Sequence, residues 1–397
     1  MPEVRQIYDL VNDLKKEGAG AQNITVKSID NLISYGESIL SSGENQDIFY
    51  KKLTDRFGRV WFKYKRYFAD NKDSILRTPM EYGIILQKVQ VKNVGKMVEN
   101  TSYKNQANPF TQEKDNTAIE QTLFRAFSTF QTETKVIYRS QLNSAFTSPV
   151  AFASFVDMVY NDMYNAMEKA VEDLIKLIKC AMIGNTLKNG TLGKQARNVF
   201  MEYLTKNPSS TITEDNCFTD VDFLKYLSRE LALITKRFPK MTQCFNTEGA
   251  DRWTDRDNME VEVLADLATA TASYLEADTY HKELIELPKY REISSVQSDS
   301  DFSFNEVSKI DISLGEEGTD NYIEMTATGI IAYVYDRDAC AVMLERPRVC
   351  SMFNGLYEMD NVNYKMDWAG CVDKSENCVV FFIKDTRTEG TEETDGE

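Results

Sequence analysis

The chain has 397 residues, 42% of them hydrophobic, and is long enough to bury a sizeable core in two or three packed layers. Its 62 acidic and 46 basic residues give a net charge of −16. This charge argues against free binding to nucleic acid, because such binding requires clustered Lys and Arg. No segment approaches the roughly 18 consecutive apolar residues that span a bilayer. Met1 to Glu3 do not open a basic and then apolar export signal, so we expect a soluble protein.

Few side chains in the sequence suit catalysis or metal binding. Seven cysteines, an odd number without a Cys-x-x-Cys pair, indicate buried thiols in a reducing cytoplasm and not disulfides or a zinc site. His281 is the single histidine, which excludes multi-histidine metal sites, and we interpret it as a solvated residue of a predicted helix. Gly193-Lys194 lacks the first glycine of a phosphate-binding loop. We therefore predict no catalytic residues, no cofactor and no metal site.

Two amphipathic helices are predicted near the N-terminus. Apolar residues recur at helical spacing in residues 4–16, and again after Ser28 as far as Leu40. Val60 to Phe68 then mixes aromatic and basic residues in the manner of a strand. We interpret the first segments as an N-terminal arm that leads into this strand.

A polar segment follows, from about Ala69 to Asp115. It is rich in turn residues, and only Tyr82 to Val94 has a strand-like pattern. Because such a segment buries little apolar surface, we expect an extended two-stranded excursion without a core of its own. Residues 119–142 return to a β-type pattern.

The strongest local pattern predicts one long helix. Ser148 is a suitable N-cap, Pro149 suits the first helical position, and Gly184 is the expected stop. At 1.5 Å per residue this helix is about 50 Å long. Its apolar stripe consists of Phe152, Phe155, Val156, Val159, Met163, Met167, Ala170, Leu174, Leu177, Ile178 and Ala181.

The remainder of the chain alternates helices, polar loops and strands. The predicted helices are Val199 to Thr205, Val221 to Arg237 and Val261 to Leu287. The predicted strands are Ile330 to Tyr335, Cys340 to Leu344, Val362 to Trp368 and Cys378 to Ile383. The acidic tail from Asp385 to Glu397 is expected to be disordered.

One acidic cluster is the best candidate for a functional site. Grouped carboxylates can hold Mg²⁺ or Ca²⁺, and residues 251–262 contain Asp251, Asp255, Asp257, Glu260 and Glu262. However, Met259 and Glu260 stand where a calcium loop counted from Asp255 needs a ligand and a glycine. Acidic residues that open a helix are also expected, because they complement the helix dipole. We favour this structural interpretation of the cluster.

Several local strings, in order along the chain, are similar to those of a known family. They are Gly36 to Leu40, Asp47 to Phe49, Leu53 to Gly58, Gln141 to Phe146 with Phe152 to Val156, Asp336 to Asp338, and Ser375 to Phe382. In these strings and their spacing, over Ser34 to Ile383, the chain resembles the major capsid proteins of phi-29-like short-tailed bacteriophages. The resemblance implies an α+β fold of the Hong Kong 97-like phage capsid type, and a structural protein instead of an enzyme.

The resemblance also implies a division of the chain into parts. These are an N-terminal arm at 1–57, a strand and extended loop at 58–117, a peripheral domain with a spine helix at 118–186, an axial domain at 187–350, return strands of the peripheral domain at 351–384, and the acidic tail at 385–397.

The resemblance finally implies a function. Subunits would form hexamers and pentamers of an icosahedral or elongated virion shell, assembled in the bacterial host cytoplasm without a membrane. The implied partners are a scaffolding protein, a portal, and double-stranded DNA that is enclosed without sequence-specific binding. Two alternatives stay open: a nanocompartment shell protein of the same fold, and a carboxylate-metal hydrolase that uses residues 251–262.

Overall fold

A computed structural model describes residues 8–9, 11–13, 25–41, 45, 48, 71–79, 86–94, 97, 119–124, 128–131, 135–138, 146, 148–276, 290–298, 300–314, 322–344, 348–357 and 359–384. These residues form two large sheets, two small sheets of two strands each, and a set of helices.

A five-stranded sheet lies at the centre of the core. Its order is β6 (Ala196–Asn198), β15 (Cys378–Phe382), β11 (Ile330–Asp336), β7 (Met259–Leu264) and β8 (Arg291–Ile293). Every residue of β11 and β15 is buried, as expected for apolar strands that are covered on both faces. The strands predicted at 330–335 and 378–383 are confirmed.

Side chains of this sheet alternate between two cores, one on each face. Tyr333 and Tyr335 join a core with the long helix α2 (Pro149–Asn189), whereas Val334 joins the other. The second core contains residues of α3 (Val199–Lys206), α4 (Val221–Arg237) and α5 (Ala265–Glu276). The helices predicted at 199–205 and 221–237 are confirmed.

Helix α2 spans 41 residues and is about 60 Å long at 1.5 Å per residue. Ser148 caps it as predicted, because the Ala151 N–H donates to the Ser148 hydroxyl at 3.1 Å. The predicted stop at Gly184 is wrong, since the helix continues to Asn189. Every residue from 178 to 187 is buried, so packing holds the helix past Gly184. A glycine ends a helix only where it leaves the helical conformation.

The apolar stripe of α2 is confirmed where its side chains are described. Buried members are Phe152, Phe155, Met163, Leu174, Ile178 and Ala181, and half-buried members are Met167, Ala170 and Leu177. The side chains of Val156 and Val159 lie outside the described part of the chain.

A six-stranded sheet is built around β14 (Met359–Val372). Lys365 pairs with both Gln131 and Arg348, so β4 and β13 flank β14 on opposite sides. The other strands are β4 (Ser128–Gln131), β5 (Lys135–Tyr138), β12 (Cys340–Leu344), β13 (Arg348–Asn354) and β1 (Leu76–Pro79). The strand predicted at 340–344 is confirmed, and the one predicted at 362–368 is the middle of β14.

The strands after residue 350 are divided between the two large sheets. β13 and β14 belong to the six-stranded sheet, whereas β15 lies between β6 and β11 in the five-stranded sheet. The residues explain this placement, because β15 is buried throughout and needs cover on both faces, while β14 largely alternates between buried and half-buried positions.

One predicted helix begins too early. The segment predicted as a helix from Val261 opens as β7, which pairs with β11, and α5 begins only at Ala265. Val261 and Val263 join one core while Glu262 points to the other, which is the alternation of a strand. Residues 277–289, with His281, lie outside the described residues.

The remaining elements follow the predictions in the parts that are described. Helix α1 (Ile29–Leu40) follows Ser28 as predicted, with Ser28 as its N-cap, and residues 8–9 and 11–13 are helical. The pattern at 119–142 gives β3 (Ile119–Phe124), β4 and β5. The short helix α6 (Phe304–Val307) precedes an antiparallel pair, β9 (Ile310–Leu314) and β10 (Ile323–Ala327). The strand predicted at 60–68 and the tail at 385–397 lie outside the described residues.

Candidate assembly surfaces

Two strands form an arm that pairs with no other strand among the described residues. β2 (Leu86–Val91) runs antiparallel to β3, with Leu86 opposite Phe124 and Val91 opposite Ile119. We call β2, β3 and residues 92–94 the arm, which is a different part of the chain from the N-terminal arm at 1–57. The strand predicted within Tyr82 to Val94 is confirmed, but its partner β3 lies beyond the predicted end of the excursion at Asp115.

Residues 71–79 belong to the core and not to the excursion. Ile75 is buried, and the buried Ser74 carbonyl accepts a hydrogen bond from the Tyr335 hydroxyl at 3.0 Å. β1 continues this segment as an edge strand beside β12. The expectation that the whole segment from Ala69 has no core is therefore wrong for these residues.

Two described residues on the outward face of β2 are apolar and exposed. Val89 is 59% exposed and Val91 is 41% exposed, while the alternate residues Lys88 and Gln90 are half-buried against the subunit. A strand with one solvated face normally turns its apolar side chains inward. The reversed arrangement in β2 is typical of a surface that contacts another chain.

A second group of exposed apolar residues lies where β13 turns into β14. Met352 is 67% exposed, Leu356 is 82% exposed and Tyr357 is 64% exposed. β13 and β14 pair as far as Asn354 and Met359, so these side chains lie at the end of a hairpin. We call Met352, Leu356 and Tyr357 the hairpin tip.

The five acidic residues of the predicted cluster have different surroundings. Glu262 is fully buried, and Glu260 pairs with an arginine at 3.0 Å. Asp251 accepts a hydrogen bond from the arm, whereas Asp255 and Asp257 are exposed. Within the described residues no group of three His, Cys, Asp or Glu side chains could hold a metal ion. The interpretation of these carboxylates as helix-opening residues is also wrong, because a strand begins here.

Glu262 lies in a buried polar cluster that joins α2 to the central sheet. Lys179 Nζ of α2 lies 2.5 Å from Glu262 Oε1, and the hydroxyls of Tyr333 and Tyr335 donate to the same carboxylate. Burial alone would raise the pKa of Glu262, but the Lys179 ammonium and the two hydroxyls hold it below its ordinary value. Each side chain of the cluster has a polar partner within apolar surroundings, so the role of the cluster is structural.

Sequence reasoning missed both this cluster and the polar contact of the arm. Lys179 interrupts an apolar stripe and Glu262 interrupts an apolar strand, and these interruptions are the only local signals. The two residues are 83 positions apart, so nothing in either segment indicates their pairing.

No helix among the described residues is both long enough and apolar enough to cross a membrane. Among known proteins, the Phi29-like phage major capsid protein family matches residues 9–382 of the chain. No curated protein matches it.

The chain aligns with solved structures of phage capsids, and the first alignment below shows a similar fold. The capsid structure of Staphylococcus phage Andhra aligns with a TM-score of 0.51 at 9% identity, over 83% of this chain and 87% of that chain. The capsid structure of the Cyanophage P-SCSP1u aligns with a TM-score of 0.46 at 12% identity, over 82% of this chain and 91% of that chain.

The expected α+β fold of the Hong Kong 97-like type is therefore confirmed, and so is the function as a phage capsid protein. The family match extends over nearly all of the sequence, from the N-terminal helical segment to the last residue of β15. By this match the chain belongs to the Phi29-like phage major capsid protein family.

Proposed function

We propose that copies of this chain form hexamers and pentamers that close into an icosahedral or elongated shell around double-stranded DNA. The observation that carries the proposal is the outward apolar face of β2, with Val89 and Val91 exposed. The hairpin tip offers a second surface. Each contact is small, and a closed shell adds many of them together.

The proposal gives each part of the chain a role. Residues 1–57 form the N-terminal arm, 58–117 contain the extended loop, and 118–186 together with β14 form the peripheral domain. The axial domain, 187–350, is built on the five-stranded sheet and takes in β15 as well. The subunit acts as a wall and performs no catalysis.

The proposed partners follow from the same role. A scaffolding protein and a portal would direct closure in the bacterial host cytoplasm, and DNA would be enclosed without sequence-specific contacts. The net charge of −16 supports this, because an acidic wall repels the phosphate backbone and allows DNA to move past it.

Negative-stain microscopy of the expressed protein, alone and with its scaffolding protein, tests the proposal. Val89→Glu and Met352→Glu place a charge on the two exposed surfaces and should prevent closed shells while the subunit keeps a cooperative melt. Met201→Glu is the matched control, because Met201 is 54% exposed and lies outside both surfaces. Normal shells from both surface variants would contradict the proposed contacts, and the absence of shells from the unmodified protein with its scaffold would contradict the function.

A further inference from the structure

We propose that a charged clamp holds the arm against its own subunit and so fixes the direction in which the apolar face of β2 is presented. The clamp joins Lys88 and Gln90 of β2 to Asp373, Ser375 and Glu376, which lie in the turn between β14 and β15. The consequence for shell growth rests on the proposed function, whereas the clamp itself is a property of the single subunit.

The first row of the clamp is an ion pair with two carboxylates. Lys88 Nζ contacts Asp373 and lies 2.5 Å from Glu376 Oε1. Beside it, Gln90 Nε2 donates to the Ser375 hydroxyl at 3.0 Å, and the Ser375 N–H donates to Asp373 at 2.9 Å. Both inward-facing side chains of this part of β2 are thereby paired with one turn.

A second row fixes the chain just after β2. Arg252 Nη1 donates to the Val91 carbonyl at 3.1 Å, and Arg252 Nε lies 3.7 Å from Glu376 Oε1. The Asp251 N–H donates to the Lys92 carbonyl at 3.0 Å, and the Val94 N–H donates to Asp251 Oδ2 at 2.9 Å. Glu376 therefore connects the two rows.

The turn that receives the arm is itself held firmly. Ser375 is buried, and the Lys374 carbonyl accepts a hydrogen bond from the Thr247 hydroxyl at 3.1 Å. Asn185 of α2 donates to the same hydroxyl at 3.3 Å. The arm is thus connected through the turn to α2.

The contacts that the described segment 88–94 makes with the subunit are polar, which makes this segment suitable for opening. No residue of the described segment 88–94 is buried, so release of the arm would expose charged groups and little apolar surface. Burial alone would lower the pKa of Lys88, but Asp373 and Glu376 outweigh it and raise this pKa above its ordinary value. The ammonium stays charged, and its attraction to the carboxylates weakens with added salt.

Amide hydrogen exchange on the unassembled subunit tests the clamp. Lys88→Met removes the charge and keeps the length of the side chain, so the Val94 and Asp251 amides should exchange about tenfold faster. Lys240→Met is the matched control, because Lys240 is exposed and outside the clamp, and it should leave these amides unchanged. Glu376→Gln, with a nearly unchanged shape, should reproduce the effect if Lys88→Met folds poorly. Unchanged exchange in a folded clamp variant overturns the proposal.

Light scattering during shell growth then tests the consequence. The clamp variants should form shells several-fold more slowly than the Lys240→Met control, because a free arm must be ordered again at each contact. Equal rates for all variants would overturn the role in assembly even if exchange is faster. If the unmodified protein forms no shells, the proposed function fails while the exchange result still decides the clamp.

Discussion

At the scale of single residues, the ion pair between Lys179 and Glu262 places two charges in the core, where each depends on the other for stability. Lys179→Met leaves the fully buried Glu262 without its cation, and we expect a loss of about 3–5 kcal/mol in the free energy of unfolding. Urea unfolding measures it. Lys176→Met is the control on the same helix, because its pair with Glu172 is more exposed and should contribute less than about 1 kcal/mol.

The double variant Lys179→Met with Glu262→Gln tests whether the lost stability comes from the unpaired charge of Glu262. Removing both charges should recover much of the lost stability, since an unpaired buried charge costs more than an absent pair. Equal losses in the single and double variants would show that Lys179 acts through packing alone.

A buried carboxyl at the end of β11 predicts a dependence of stability on pH. Burial raises the pKa of Asp336 from 3.8 to about 6, against the hydrogen bonds from the Asp338 N–H and from Thr254. Between these two values the folded state binds a proton that the unfolded state has released. The contribution of Asp336 is therefore complete below about pH 4 and is lost as the pH rises through 6, by roughly 3 kcal/mol in total.

Asp336→Asn removes this titration and keeps an oxygen that can accept from the Asp338 N–H. In urea unfolding from pH 4 to 8, the variant should gain stability relative to the unmodified protein as the pH rises. A constant difference across this range would mean that Asp336 titrates near its ordinary value when folded.

At the scale of elements, the docking of α1 depends on one glycine. A Cβ at Gly36 would lie 2.4 Å from Phe146 Cγ, and Phe146 is buried beside Phe152 in the first turn of α2. Gly36→Ala should therefore destabilise the docked helix by about 1–3 kcal/mol, although alanine favours helices. Amide exchange of α1 measures this loss. Ser34→Ala, at an exposed position of the same helix, should be neutral or slightly stabilising, and a stabilising Gly36→Ala would show that α1 does not pack there.

Local signals predicted the elements well where they were unambiguous. Helix α4 was predicted with both of its bounds, Val221 and Arg237, and the structure shows that Asp220 caps it. The predicted helix end at Gly184 was wrong because buried packing around this glycine keeps it in the helical conformation. The helix predicted from Val261 was wrong at its start because the segment 259–264 pairs as a strand with β11, about 70 residues away in the chain.

At the scale of the whole molecule, the fold was accessible from ordered motifs, but the clamp was not. Lys88 and Asp373 are 285 positions apart, and a lysine on a polar strand is ordinarily a solvated residue. The same limit applies to the acidic cluster, whose residues are close in sequence and yet have separate partners. Which residues pair over such distances depends on the sheet topology, and the sequence of a single segment does not specify that topology.

The charge of the whole chain makes the last prediction. With a net charge of −16, the unassembled subunit should not bind labelled duplex DNA in fluorescence anisotropy at physiological salt, even at protein concentrations of about 10⁻⁴ M. Non-specific DNA-binding proteins have dissociation constants of about 10⁻⁴ to 10⁻⁶ M under these conditions. The measurement is repeated at about 50 mM salt, where a protein with several phosphate contacts would bind orders of magnitude more tightly. A complex that tightens in this way would mean that the subunit carries a concentrated basic surface. The proposal of a shell wall that repels DNA would then be wrong, and the wall would bind DNA instead.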